Sequence, residues 1–489
     1  MILNTIYKND GAESVHYFDN EINVFTKFDK VFIEENSSIT EIQIPIKWWK
    51  KIVGNLRILR RLLRIDQYTI KLVGKDKQVL VIINDGNVYY YDKQKKILQL
   101  TLKLKQCKQL LKNSICETKN GELFFGEYGQ NKKRLPIPIY KSTDKGKSWK
   151  IVYNIEAKKA RHVHGCFWDN FENKIWILTG DFKDENHFIC VDKEFKKIEW
   201  IGDGTQKFRA CNLFFEENYI YWITDSELEK NYLYKLKREN RKYLRLQPFP
   251  GPVWYTKKIN ENNYLASITC EKGPGSHPNY GFIYHSKNLE KWNKVMVLEK
   301  DFWPKKYFKN GVISFSDGRQ KINSFEISGE GFKYFDGNSH ICEILSINKY
   351  VKKFVINNIL DLNKLSLKDG YLASNKRKFS ELDTDDLIHL VQTTDYNDID
   401  IRLSEKILKF CEVKNNSSSE IYNNFKGNHK IELLITVLLL NYSKFDDLRY
   451  LNVVLKILDN FNNNYFSQKN NKNNFNSLVE ILILNKFYD

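Results

Sequence analysis

Residues 174–181 read Lys-Ile-Trp-Ile-Leu-Thr-Gly-Asp, a short run of large apolar side chains that stops at an acid. The run is too short and too rich in β-branched and aromatic residues for a helix, so it reads as a buried strand. Runs of the same build recur: VLVIIND ends at Asp85, ELFFGE at Glu127, YIYWITD at Asp225, YLASITCE at Glu271 and GVISFSD at Asp317. Successive acids are 42, 54, 44, 46 and 46 residues apart. A period in the forties with several strand signals per unit predicts a mainly β chain folded as a β-propeller, one four-stranded blade per period. Six acids predict six blades within residues 65–350, with a seventh from residues 1–45 as the alternative.

Composition agrees. The chain has 489 residues, 42 % apolar and 14 % aromatic, which suits sheets better than a helix bundle. Its net charge of +18 points to an anionic partner. The charge is uneven: residues 380–489 hold 12 basic and 16 acidic side chains, leaving 66 basic against 44 acidic in the first 379. The same tail holds 18 Asn and changes from strand-like to helical spacing. The expected organisation is an N-terminal segment over 1–64, the propeller over 65–350, a linker over 351–380 and an Asn-rich helical module over 381–489. Within the first segment, residues 48–64 carry apolar side chains at helical spacing among Lys and Arg, which predicts a basic amphipathic helix.

No basic start followed by an apolar run opens the chain, and no apolar stretch reaches the roughly 20 residues that span a bilayer. Eight dispersed cysteines without a CxxC pair suit a reducing compartment, so a cytoplasmic location is expected. Nucleic acid is not expected as a partner, because the lysines are scattered between strands rather than gathered in a stripe.

A second repeat is sharper. Ser142-Thr-Asp144-Lys-Gly146-Lys-Ser-Trp149 fits S-x-D-x-G-x-x-W, and Ser286-Lys-Asn288-Leu-Glu-Lys-Trp292 is a degraded copy. Asp and Gly make a tight turn between two strands, and the Trp packs beneath it. This pattern resembles the Asp-box, or BNR repeat, of sialidase-like propellers. From 126 to 225 the chain is also similar to uncharacterised bacterial and archaeal BNR-propeller proteins. The shared run is Gly-Glu127-Tyr128, Arg134 and Pro136, the Asp-box, Arg161-His162-Val-His164-Gly165, Thr-Gly-Asp181, Gly204-Thr-Gln206-Lys-Phe-Arg209 and Trp-Ile-Thr-Asp225. The resemblance implies a sialidase-like propeller with its site on the face opposite the Asp-boxes.

Strand parity reaches the same face. If the Asp-box joins strands 3 and 4 of a blade, the 2–3 loops and the 4–1 crossings lie opposite it. The recurring acids open 2–3 loops, and His162, His164, Gln206 and Arg209 belong to 4–1 crossings. Glu127, Asp181 and Asp225 then offer carboxylates for glycosidic acid–base work, with His162 and His164 as catalytic partners. Arg134, Arg161, Gln206, Arg209, Glu271 and His277 could bind an acidic substrate. His162 and His164 are two apart, which in a strand puts both rings on one side, so they could share a divalent metal; no cofactor is otherwise assigned. Arg134-Leu-Pro136 lies eight residues before the Asp-box, on a different strand from the Arg-Ile-Pro motif of sialidases, so sialic acid is not the expected ligand. The reading is a protein that binds, and could cleave as a hydrolase or lyase, an acidic glycan. The alternative is a non-catalytic scaffold for a protein partner, taken by the propeller face or by the helical tail.

Overall fold

The computed structural model describes residues 1–345, apart from 20, 66, 272, 275 and 309, together with residue 438. The expected linker over 351–380 and helical module over 381–489 therefore lie outside the described residues, Leu438 excepted. Thr5–Ile344 form one compact unit.

Among the described residues the strands form seven four-stranded sheets. In chain order the blades are 1 (14–43), 2 (68–103), 3 (116–155), 4 (162–204), 5 (214–249), 6 (253–299) and 7 (312–345). Blade 7 supplies only three strands from its own stretch, and its fourth, outermost strand is Ile2–Asn9. The ring closes where the first strand of blade 1 meets blade 7: the Phe18 amide donates to the Asp317 carbonyl and the Asp317 amide to the His16 carbonyl. The count is thus seven, not six. The stretch 1–64, expected as a separate segment, is instead a closing strand, a complete blade and a crossing.

The core lies between blades rather than inside any one of them. Ile22, Val24 and Ile33 of blade 1 pack with Leu80 and Ile82 of blade 2, and the pattern repeats around the ring to Phe214 and Ile223 of blade 5 against Ala266 and Phe282 of blade 6. A second strand in such a stack is covered on both faces, so VLVII at 79–83 is apolar at every position, and all five residues are buried.

Five of the six recurring acids, Asp85, Glu127, Asp181, Asp225 and Glu271, follow the second strands of their blades. Asp317 does not. Val312–Phe315 is the first strand of blade 7, so Asp317 sits in a 1–2 loop on the other face, paired with Lys71 at 2.6 Å. The second strand of blade 7 is Phe325–Glu330, and Glu330 is its acid; in blade 1, Asp29 follows the second strand Ile22–Lys27. Every blade therefore ends its second strand at or near an acid.

Ser142–Trp149 joins strands 3 and 4 of blade 3. Asp144 accepts from the Ser142 hydroxyl at 2.7 Å and from the Ser148 amide at 2.9 Å, and Ser142 accepts from the Gly146 amide at 2.8 Å. Trp149 lies edge-on to Phe125, ring centres 4.8 Å apart. Gly146 has φ +94°, and a Cβ there would stand 2.6 Å from Val81 Cγ2 of the neighbouring blade. Gly146→Ala is expected to cost about 1–3 kcal/mol through backbone strain, read as a lower thermal midpoint; an unchanged midpoint would show that the turn can relax.

The 48–64 segment departs from the expected single helix. It folds as α1 (Trp48–Val53) and α2 (Arg57–Leu63), broken at Gly54–Leu56. The buried side chains of both helices are charged ones. Lys50, Arg60 and Arg61 are buried in ion pairs with Asp85, Glu13 and Asp301, while Trp48, Ile52 and Leu56 are 74, 65 and 59 % exposed. Acids on the propeller draw the cations inward, because a paired charge can be buried where an unpaired one cannot.

Candidate functional site

The 2–3 loops and 4–1 crossings surround one central cavity of about 1830 Å³, and no 3–4 turn lines it. Twelve Lys and Arg against eight Asp and Glu line its wall, so the cavity is cationic on balance. α1 and α2 lie in the crossing from blade 1 to blade 2, and α3 (Lys305–Phe308) in the crossing from blade 6 to blade 7, so both stand on this face.

The centre of the site comes from blade 4. Its first strand, His162–Asp169, starts at the cavity and bulges between Val163 and Gly165, a break that re-aims His164. His162 Nε2 lies 3.3 Å and His164 Nε2 3.1 Å from Asp181 Oδ1, and the two Nε2 atoms are 3.1 Å apart. Each ring is fixed from behind by a backbone carbonyl: His162 Nδ1 donates to Gly129 O at 2.9 Å and His164 Nδ1 to Ala210 O at 2.8 Å. Tyr128 covers both rings, 4.2 Å from the centre of His162 and 6.0 Å from that of His164. Gly180 makes room, since a Cβ there would meet His164 Cε1 at 2.8 Å.

Asp181 also carries two guanidiniums. Arg161 Nη1 reaches its Oδ2 at 2.6 Å and Arg209 Nη2 its Oδ1 at 3.3 Å. Burial opposes ionisation of Asp181, but His162, His164 and their charge hold its carboxyl well below the usual carboxylate range. Burial meanwhile lowers His162, against the pull of Asp181. The two tendencies conflict. Arg161 supplies the compensating charge whatever the histidines do, so Asp181 is read as ionised and His162 as neutral. Gln206 braces the group, its Nε2 donating to Asp181 O at 2.8 Å and its Oε1 accepting from Ser226 at 2.7 Å.

Beside this group lies an acidic cluster from blades 5 and 6. Arg209 Nη1 is 2.6 Å from Glu227 Oε2, and Arg209 Nε is 3.7 Å from Asp225 Oδ2. Cys211 Sγ donates to the same Asp225 oxygen at 3.2 Å. Asp225 Oδ1 and Glu271 Oε1 are buried without a hydrogen-bond partner. Burial raises the Asp225 carboxyl to about 6 against the pull of Arg209. Burial, with the charges of Asp225 and Glu227, raises Glu271 to about 8. Glu271 therefore keeps its proton to higher pH than Asp225.

The structure thus joins His162, His164, Asp181, Arg161, Gln206, Arg209, Asp225 and Glu271. It does not join Glu127, whose carboxylate turns the other way and accepts from Tyr140 at 2.8 Å and from the amides of Lys105 and Gln106. Neighbouring residues at a strand end point apart, so Tyr128 enters the cavity and Glu127 serves the loop. Arg134 is held by Glu185 at 2.5 Å and lies over Phe182, outside the cavity wall. His277 packs against Tyr280 and Phe282 and also lies outside it. Cys211 and Glu227 were not foreseen. Each follows a foreseen residue by two, the spacing that keeps a side chain on one side of an extended chain.

Fold and site together define a seven-bladed β-propeller with a cationic central cavity holding a His-His-Asp group and a split pair of acids. No family model matches the chain, and no curated protein matches it. Among solved structures it is similar to a chain of the mitotic checkpoint complex, at 9 % identity over 71 % of this chain and 91 % of that one, with a TM-score of 0.43. It is similar to YCF48 bound to D1 peptide, at 10 % identity over 70 and 94 % of the two chains, with a TM-score of 0.42. It is also similar to the extracellular domain of the putative one component system BT4673 from B. thetaiotaomicron, at 12 % identity over 71 and 40 %, with a TM-score of 0.41. At these values the fold rests on the chain's own sheets. Among the described residues, no helix is long and apolar enough to cross a membrane.

Proposed function

We propose that the cavity binds an acidic glycan and cleaves it by acid–base chemistry. The observation that carries the reading is the pair of buried carboxyls, Glu271 raised to about 8 and Asp225 to about 6, in a wall with twelve cations to eight acids. Cleaving a glycosidic bond needs one carboxyl that keeps its proton and one that has lost it. Glu271 takes the part of the acid, protonating the leaving oxygen, and Asp225 that of the base or nucleophile. Arg209 and Arg161 offer guanidiniums to a substrate carboxylate or sulfate. Trp254 and Tyr255 lend aromatic surface to the wall. The sialidase-like resemblance of Ser142–Trp149 supports this reading of the face, and a cytoplasmic setting stays part of it.

A glycan array of acidic and neutral sugars tests the binding. The parent protein should retain acidic glycans, and Arg209→Ala and Arg161→Ala should each weaken retention about 10–100-fold, the value of a lost charged hydrogen bond. If both variants fold and bind like the parent, the site is elsewhere.

A second reading has its own observation. On this face the segment 48–63 exposes Trp48 at 74 %, together with Ile52 and Leu56, and the cavity wall exposes Phe302 at 80 %. Exposed apolar side chains gathered on one face suit a protein partner that would make the propeller a scaffold.

A further inference from the structure

We infer that His162, His164 and Asp181 form a binding site for one divalent first-row transition-metal ion, with an open coordination position. The inference goes beyond glycan cleavage and stands apart from it.

The argument is one of donors and acceptors. A backbone carbonyl can only accept, so the bonds to Gly129 O and Ala210 O place a hydrogen on Nδ1 of each ring. In the neutral imidazole the Nε2 atoms then carry lone pairs. Both aim at Asp181 Oδ1, itself an acceptor, so three acceptors lie 3.1, 3.1 and 3.3 Å apart with no hydrogen of their own between any two of them. Such a triangle repels itself unless a cation joins it. A single added proton satisfies one edge. A metal ion satisfies all three corners.

The size of the triangle is that of a metal site. Atoms bound at about 2.0–2.1 Å in tetrahedral geometry stand about 3.3–3.4 Å from one another. An ion at that bond length would sit roughly 0.9 Å out of the ligand plane, leaving further positions for water or a ligand oxygen. Two imidazoles and one carboxylate suit zinc or ferrous iron rather than calcium or magnesium, which prefer oxygen alone. The supports behind the ligands are also those of a metal centre. Each His donates its far nitrogen to a carbonyl, and Gln206 and Arg161 hold Asp181. All three ligand side chains are buried, which fixes the geometry in advance. Arg209, 3.3 Å from the ligating Asp181 oxygen, shares that oxygen's charge and weakens the site relative to a bare His-His-Asp set.

The test is a cobalt titration of the full chain after stripping with a chelator and dialysis. The parent protein should take up one equivalent of Co²⁺ with visible absorption bands of a four- or five-coordinate ion, and Zn²⁺ should displace it. His164→Ala and Asp181→Asn should each lose the bands, and Glu271→Gln should keep them, which separates this inference from the glycan reading. Absence of a saturable one-equivalent site in the parent would overturn the inference, and needs no variant to fold. So would variants that are folded by circular dichroism and still give the parent's spectrum.

Discussion

Asp181→Ala should lower the unfolding free energy by about 3–5 kcal/mol, the range for breaking a buried ion pair from one side. The cause is what remains: Arg209, buried, and Arg161, largely so, lose the carboxylate that lies 3.3 and 2.6 Å away. The pH dependence has a definite sign. A carboxyl whose native pKa is depressed stabilises the fold above its unfolded pKa and loses that stabilisation as pH falls through the native one. The gap between parent and variant should therefore be full at neutral pH and should start to close only below about pH 4, the unfolded pKa of an aspartate. Chemical denaturation at pH 7 and at pH 3 measures it. A gap below 1 kcal/mol at pH 7 would mean that Asp181 does not hold the site together.

Glu271→Gln should reduce glycan cleavage by about 10²–10⁴-fold, the usual range for loss of a general acid. In the parent, the rate should rise as Asp225 ionises near 6 and fall as Glu271 ionises near 8. The variant should lose the alkaline limb. Stability should move the opposite way. Burial keeps Glu271 protonated in the fold, whereas the unfolded chain releases the proton near 4.5. The native state thus binds more protons between those values, and the parent loses stability as pH rises from about 4.5 to about 8. Glu271→Gln removes that slope, so it should be the more stable protein at pH 8 and the less active one at every pH. A variant with the parent's pH–stability profile would place the Glu271 proton elsewhere.

How legible this was depended on burial. Second strands are covered on both faces, so they print unbroken apolar runs such as VLVII, and their period revealed the propeller. Phe325–Glu330 escapes the pattern because Glu326 and Ser328 interrupt its apolar run, where 79–83, 123–125, 175–178 and 219–223 are aliphatic or aromatic throughout. The first strand Val312–Phe315 is more apolar and ends near an acid of its own, so the period falls on Asp317, which lies on the other face. The blade missing from the count of six is blade 1, Ser14–Gln43, the stretch that the alternative seventh blade over 1–45 covers, because its second strand Ile22–Lys27 ends without an acid and Asp29 follows only after Phe28.

At the site, the two-residue spacing of His162 and His164 and the period of the acids pointed to the right face. Neither could show that both Nε2 atoms meet one oxygen of Asp181, because a bulge at His164 sets that aim. Nor could spacing tell Glu127 from Asp181, two acids at the same blade position. Tyr140 and two amides claim the first, while His162, His164 and two arginines surround the second. Periodicity also falls short at 48–64: the apolar spacing predicts one helix but cannot show the break at Gly54–Leu56 or the acids that bury Arg60 and Arg61.

The most direct measurement is a crystal structure of the protein with an acidic oligosaccharide selected on the array. The account predicts the sugar inside the central cavity, its acidic group on Arg209 or Arg161 and a glycosidic oxygen within hydrogen-bonding reach of Glu271. A sugar bound on the Ser142–Trp149 face, or held in the cavity with no contact to Glu271 or Arg209, would contradict it.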